Sequence, residues 1–209
     1  MIVKTRWLLV AFVLTVCWTI QAADEPQPTA PAAGPAVGDA MPAFESTDDQ
    51  DRPWKSADYV GKNVLVLYFY PGDFTGGCIK QTEAYRDGLA KLDELGVELV
   101  GVSGDEVATH KLFKETYGLK HALLADSKGE LAKLMGIPVS AGSRVIPAGP
   151  DRKPLLDADG KRFALQRPVT IARWTVVVDR EGKVAAVRNI VNPVTDSEEV
   201  LKIVKTLPK

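Results

Sequence analysis

VLVLYFYPGDFTGGC, residues 64–78, is the stretch that decides how this chain is read. Its first seven residues are aliphatic or aromatic and carry no charge. That is the composition of a strand covered on both faces, not of one with a wet side. Pro71 closes the run, since proline has no N–H to give a sheet ladder. A threonine and a cysteine then follow at fixed spacing, Pro71-x3-Thr75-x2-Cys78. Beyond them Ile79 to Leu95 shows helical spacing, with Ala84, Leu89, Leu92 and Leu95 on or near one stripe and Gly96 as a C-cap. Cys78 therefore falls near a helix N-terminus, where unpaired N–H groups and the macrodipole favour a thiolate. Thr75, one turn upstream, can offer its hydroxyl to whatever the sulfur attacks. A lone cysteine is most often a small buried hydrophobe, and a lone threonine here an ordinary turn residue. The combination points to a thiol-based redox site.

Outward from this stretch the pattern alternates strands and helices. Ala43–Ser46 and Arg52–Lys55 fit a short hairpin around residues 47–50. Val97–Val102 reads as a second buried strand, Glu106–Tyr117 as a helix stopped by Gly118, His121–Ala125 as a third strand and Gly129–Met135 as a short helix. Arg173–Asp179 and Lys183–Ile190 form two strands joined at Arg180-Glu181-Gly182. Asp196–Leu207 is an amphipathic helix, with Asp196 or Ser197 as N-cap and Glu198 and Glu199 in the favourable first turn. This order predicts an α/β fold, a mixed central sheet flanked by helices. Residues 136–172 break the rhythm with five prolines and several glycines. They read as a long insertion, at about 138–172, with room for a small hairpin such as Lys153–Leu156 against Arg162–Leu165.

The N-terminus has a different character. Lys4 and Arg6 precede Trp7–Ile20, an uncharged apolar stretch of 14 residues, and Gln21-Ala22-Ala23 supplies small residues before Asp24. Residues 1–23 thus read as a secretory signal peptide. The stretch is shorter than the roughly 20 residues of a membrane span, so a membrane tether by an uncleaved segment is the lesser alternative. Val16 and Trp18 flank Cys17 where a lipobox wants a small residue. Residues 24–42, rich in Pro, Ala and Gly, form a tether, and residues 43–209 the folded domain. Cleavage would place the protein outside the cytoplasm, periplasmic or otherwise exported, with Cys78 as its only cysteine. The 209 residues carry 26 basic and 27 acidic side chains, net −1, which gives no electrostatic case for nucleic acid or an anionic membrane surface.

The segment YFYPGDFTGGC, followed by Tyr85-Arg86-Asp87, resembles the active-site segment of peroxiredoxins, and among them the bacterioferritin-comigratory-protein or Q type. GVSGDEVATHKLFKETYGL, LLADSKGELAKLMGI and RWTVVVDREGKV fall in that family's order. The likeness runs from about Val37 to the C-terminus apart from the insertion. It implies a thioredoxin-like fold and a thiol-dependent peroxidase needing no cofactor. Cys78 matches the peroxidatic cysteine, Thr75 the hydroxyl that orients the peroxide, Pro71 the residue that shields the pocket, and Arg173 the arginine that assists the thiolate. Q-type members often carry a resolving cysteine five residues after the peroxidatic one; here that position is Glu83. The resemblance therefore implies a sulfenic acid resolved by an external thiol, either a small thiol or a thioredoxin-like partner, or by the Cys78 of a second copy in a homodimer. Gly76 and Gly104 stand where the family often has proline. A redox sensor or binding module on the same fold is the rival reading.

Other residues read more plainly. Gln81 is equally a solvated helix residue or one that fixes the loop or the arginine. Tyr68 and Tyr70 read as packing residues, and Phe44 and Trp174 as core. His110 and His121 have no third ligand in a metal pattern. Asp157, Asp159 and Gly160 form a turn, since calcium-loop spacing does not continue.

Overall fold

The computed structural model describes residues 34–208. Its centre is a seven-stranded sheet in the order β2-β1-β5-β4-β3-β8-β9. The strands are β1 (Glu45–Asp48), β2 (Pro53–Lys55), β3 (Val64–Phe69), β4 (Val97–Ser103), β5 (Ala122–Ala125), β8 (Trp174–Val178) and β9 (Val184–Arg188). Strands β3, β4 and β5 run parallel, joined by helices α1 (Gly76–Asp93) and α2 (Val107–Tyr117); β8 and β9 extend the sheet antiparallel from β3. Among the described residues, short α3 (Glu130–Leu134) and the closing α4 (Asp196–Thr206) complete the α-helices. A mixed central sheet flanked by helices is what the sequence predicts. The 1–23 signal and most of the 24–42 tether lie outside the described residues.

All six residues of β3 are buried, and its period of two explains why. Leu65, Leu67 and Phe69 enter one core with Phe44, Trp54 and Val176. Val64, Val66 and Tyr68 enter the other, with Leu92 of α1 and Val200 and Val204 of α4. Each aliphatic side chain buried this way contributes roughly 1.5–3 kcal/mol. Phe44 belongs to the first core and Trp174 packs against it; Tyr68 stacks on Tyr70 and Tyr85 at 5.4 and 4.6 Å.

The region 136–172 corrects the sequence reading. It holds a two-stranded antiparallel sheet of β6 (Val139–Val145) and β7 (Leu165–Ile171), with Val139 opposite Ile171 and Val145 opposite Leu165. Two features hide this ladder from sequence. Pro168 lies in β7 but at an exposed position of a two-stranded edge, where a missing N–H is tolerated. The inward positions of β7 are Leu165, Arg167, Val169 and Ile171, so a buried arginine interrupts the apolar period. The expected hairpin near 153–165 shrinks to one bridge, Leu156 to Arg162, with Asp157 N–H donating to the Lys161 carbonyl at 2.9 Å. A second correction concerns α1. Its inward stripe is Cys78, Gln81, Thr82, Tyr85 and Leu92, so the first half of the buried face is polar. Only the second half carries the leucines that marked the helix in sequence.

Candidate active site

Helix α1 begins at Gly76, three residues earlier than the apolar pattern begins, with Thr75 as its N-cap. Cys78 is thus the third helical residue, fully buried, among the N–H groups that have no partner within the helix. Thr75 is extended at φ −98°, ψ 141°, and its side chain makes no capping bond. Its hydroxyl instead donates to the Gly72 carbonyl at 3.0 Å, which leaves the oxygen's lone pairs free to accept. Thr75, Cys78 and Pro71 share one loop-to-helix turn, with Pro71 two residues beyond the end of β3 and partly exposed.

Arg173 precedes β8 and reaches the same corner. Its Nη2 donates to Cys78 Sγ at 3.2 Å, and its Nη1 donates to Gln81 Oε1. The approach is close: a Cβ at Gly77 would sit 3.3 Å from Arg173 Nη2, and the guanidinium would have to give by a few tenths of an ångström. The structure therefore brings Cys78 and Arg173 into direct contact although 95 residues separate them. Gln81, open to two readings in sequence, is fully buried and is the residue that holds the arginine.

The turn itself is strained and braced. Phe74 lies in the left-handed region at φ 57°, a conformation that costs a side-chain-bearing residue about 1–3 kcal/mol. Its buried ring packs edge-on to Phe113 at 5.0 Å and tilted to Tyr117 at 6.2 Å, contacts that would be lost if the backbone relaxed. One residue earlier, Asp73 is held at every polar group. Its carboxylate accepts from the Tyr70 hydroxyl at 2.7 Å and from His110 Nδ1 at 2.9 Å. Its N–H donates to Asp105 at 2.8 Å, and its carbonyl accepts from Arg167 Nη2 at 3.1 Å.

Arg167 comes from β7, the insertion. Its Nε lies 3.0 Å from both Asp105 oxygens, and arginine and aspartate are 3% and 1% exposed. The guanidinium lies so close over Gly72 that a Cβ there would fall 1.8 Å from Cζ. Any residue but glycine at 72 would displace the arginine.

The charges in this cluster follow from their partners. Burial opposes a charged His110, but the Asp73 carboxylate first, then the Asp105 charge and the Leu124 carbonyl 3.1 Å from Nε2, raise its pKa above the ordinary histidine value. Two acceptors on two ring nitrogens call for the imidazolium, which donates from both. Burial, and then the neighbouring Asp73, raise Asp105 above the usual carboxylate range against the opposing pull of Arg167 and His110. His121 is the reverse case: burial and then Lys114 lower it to about 3, and its Nε2 pairs with the Tyr68 hydroxyl at 2.7 Å. Burial raises Tyr68, Tyr70 and Tyr85 well above the ordinary tyrosine value, so all three stay neutral.

Asp196 needs a correction. Sequence offers it as an N-cap, but the N-cap of α4 is Thr195 and the Asp196 side chain turns inward, fully buried. Its Oδ2 accepts from Gln81 Nε2 at 2.9 Å, the Tyr85 hydroxyl at 2.7 Å and Thr175 Oγ1 at 2.8 Å. Sequence reasoning also missed Arg167, Asp73 and Asp105, and left His110 without a role. For His110 a signal existed, since it lies on the apolar face of a helix with Phe113 and Tyr117.

Outside α1, a groove of about 480 Å³ separates the helix from the insertion loop, with Ile79, Lys80, Glu83 and Pro150 among its walls. The loop is tied down by the Tyr117 hydroxyl, which donates to the Ala148 carbonyl at 2.9 Å. The groove faces away from the buried stripe that holds Cys78.

Known proteins resemble this chain in sequence and in fold. The model of the AhpC/TSA family matches residues 37–187. Chloroplastic peroxiredoxin Q from Suaeda salsa is 34% identical over 171 residues, 81% of this chain and 68% of that protein. Chloroplastic peroxiredoxin Q from Sedum lineare is 33% identical over 171 residues, 81% and 78% of the two chains. Among solved structures, peroxidoxin BcpB from Mycobacterium tuberculosis superposes with a TM-score of 0.65 at 25% identity, covering 84% of this chain and 99% of its own. A cysteine-to-serine mutant of Xylella fastidiosa PrxQ superposes at 0.64 and 22% identity, covering 83% of this chain and 97% of its own, a likeness of fold.

Proposed function

This chain belongs to the AhpC/TSA family of peroxiredoxins and is a thiol-dependent peroxidase of the Q type with a thioredoxin-like fold; on that premise we propose that Cys78 is the peroxidatic residue and that an external thiol resolves it. The observation that carries the reading is the Arg173 guanidinium 3.2 Å from Cys78 Sγ in the first turn of α1. The guanidinium and the free N–H groups both favour negative charge on the sulfur.

Attack by the thiolate on the nearer peroxide oxygen forms the S–O bond and breaks the O–O bond. Cys78 becomes a sulfenic acid, and the other oxygen leaves with a proton as water or an alcohol. Thr75 and Arg173 orient the peroxide and stabilise the charge that develops on the leaving oxygen. Pro71 shields the thiolate side of the pocket. Glu83 occupies the position five residues on, so α1 offers no second sulfur. A thiol from outside then attacks the sulfenic sulfur, releasing water and leaving a mixed disulfide. A second thiol returns Cys78 to its reduced form and leaves as the disulfide. Cys78 is fully buried, so the external thiol reaches it only when the first turn of α1 opens. A thioredoxin-like protein, a small thiol and the Cys78 of a second copy all fit this chemistry. Residues 1–23, outside the described residues, would direct export, and N-terminal sequencing of secreted protein tests that.

The deciding experiment is intact mass after one equivalent of hydrogen peroxide, with and without a sulfenic-acid trap. Rapid trapping on Cys78, absent in Cys78→Ser, is expected. A thiol that stays reduced for minutes, or a Cys78→Ser protein that consumes peroxide at the parental rate, would refute the assignment.

A further inference from the structure

We infer that Asp196 is a positioning residue for the peroxide-reducing site, because it fixes which end of the Gln81 amide faces Arg173. The inference rests on the role given to Cys78 and Arg173 above. Gln81 lies between two groups of opposite and fixed character. The guanidinium of Arg173 can only donate hydrogen bonds, and the Asp196 carboxylate can only accept them. An amide has one carbonyl oxygen and one NH2 group, so a single orientation satisfies both neighbours. Gln81 Nε2 donates to Asp196 Oδ2 at 2.9 Å, and its Oε1 accepts from Arg173 Nη1. Turned over, the amide would aim NH2 at the guanidinium and the carbonyl at the carboxylate, two repulsions inside a buried site where nothing screens them.

Asp196 is itself locked. Its Oδ2 also takes the hydroxyls of Tyr85, one turn along α1 from Gln81, and of Thr175, two residues beyond Arg173. It therefore touches both elements whose relative position sets the distance from sulfur to guanidinium. Arg188 Nε lies 3.3 Å from Oδ1 and supplies the compensating charge; Glu199 pairs with the other end of that arginine. By turning inward Asp196 forgoes the cap that an aspartate at a helix start usually provides, worth about 1 kcal/mol. The last helix thus reaches the catalytic arginine through one amide.

The test uses Gln81→Glu, Asp196→Asn and the double variant in the full chain. Three quantities are read: the second-order rate of Cys78 oxidation by hydrogen peroxide, the pH profile of Cys78 alkylation by iodoacetamide, and the melting temperature. Gln81→Glu sets two carboxylates within hydrogen-bond distance, and the rate is expected to fall at least about tenfold. Adding Asp196→Asn gives the new carboxylate at position 81 an amide donor in place of a second carboxylate. The rate should then return to within about threefold of the parent. If Asp196 only anchors α4, the two losses multiply and the double variant is slower than either single one; that result overturns the inference. Should Gln81→Glu not fold, Asp196→Asn alone decides. It leaves the amide free to turn, so a severalfold slower oxidation and a displaced alkylation profile, both read well below the variant's own melting temperature, are expected, and a parental rate and profile refute the role. Alkylation needs no peroxide. A parent inert to peroxide whose profile still moves in Asp196→Asn would remove Cys78 as the peroxidatic residue while keeping Asp196 as its positioning group.

Discussion

Two arginines six residues apart in sequence approach the Cys78 turn from different sides, and they do different work. Arg173 is half-buried and faces the sulfur, with one N–H on Cys78 and another on Gln81. Arg167 is buried and faces the backbone of the turn, joining Asp105 to the Asp73 carbonyl. In the proposed mechanism the first acts on charge at the reacting sulfur. The second acts on the shape of the segment that carries it. A buried ion pair such as Arg167 with Asp105 is weak evidence for net stability, because desolvation offsets much of the attraction. Its value here lies in what it holds: a strained turn with Phe74 in the left-handed region.

That contrast can be broken at several points. The largest effect should come from Arg167→Ala, which leaves Asp105 buried and unpaired and is expected to cost about 3–5 kcal/mol of stability in urea denaturation. Normal stability would mean that the insertion rests on the turn without bracing it. Arg173→Ala should show the opposite profile, with melting little changed and peroxide reduction slowed about a hundredfold or more, as for loss of a donor aimed at developing charge. If the two variants lose rate and stability in the same proportion, the division of labour is wrong. Thr75→Val removes the hydroxyl that donates to Gly72 and that, in the proposed mechanism, orients the peroxide. A rate about tenfold lower is expected, with recovery in Thr75→Ser, and stopped-flow oxidation reads both.

The smallest effect is a pH slope. The folded state raises the pKa of His110 above the unfolded value near 6.5, so the folded state binds more protons in that range. The contribution is fully present below about pH 6.5 and is lost as pH rises through the raised folded value, with a slope of at most about 1.4 kcal/mol per pH unit. His110→Gln should flatten the stability curve there. A parent curve already flat from about pH 6 to 9 would show that the imidazolium is not what holds Asp73.

The same two arginines show how far sequence reading reaches. Arg173 was legible because it opens an apolar strand within a recognisable order of segments. Arg167 was not, because a charged residue at an inward strand position and a proline beside it cancel the signal of period two. Asp196 shows a third case: an aspartate at a helix start reads as a cap, and only the packing of α4 on α1 and β8 turns it inward.

Local physics is written along the chain, and from it came the strand that opens at Val64, read to Tyr70 and ending at Phe69 in the structure, the helix start beside Cys78, the Thr75 spacing and the alternation that makes a mixed sheet flanked by helices. Those features depend on neighbours within one or two turns, so residue order alone determines them. The partners of buried polar groups do not. Gln81 meets Asp196 across 115 residues, and Arg167 meets Asp73 across 94. Donors and acceptors carry no mark of which distant group will satisfy them. Only the closed packing, which sets each buried charge among its partners, decides that pairing.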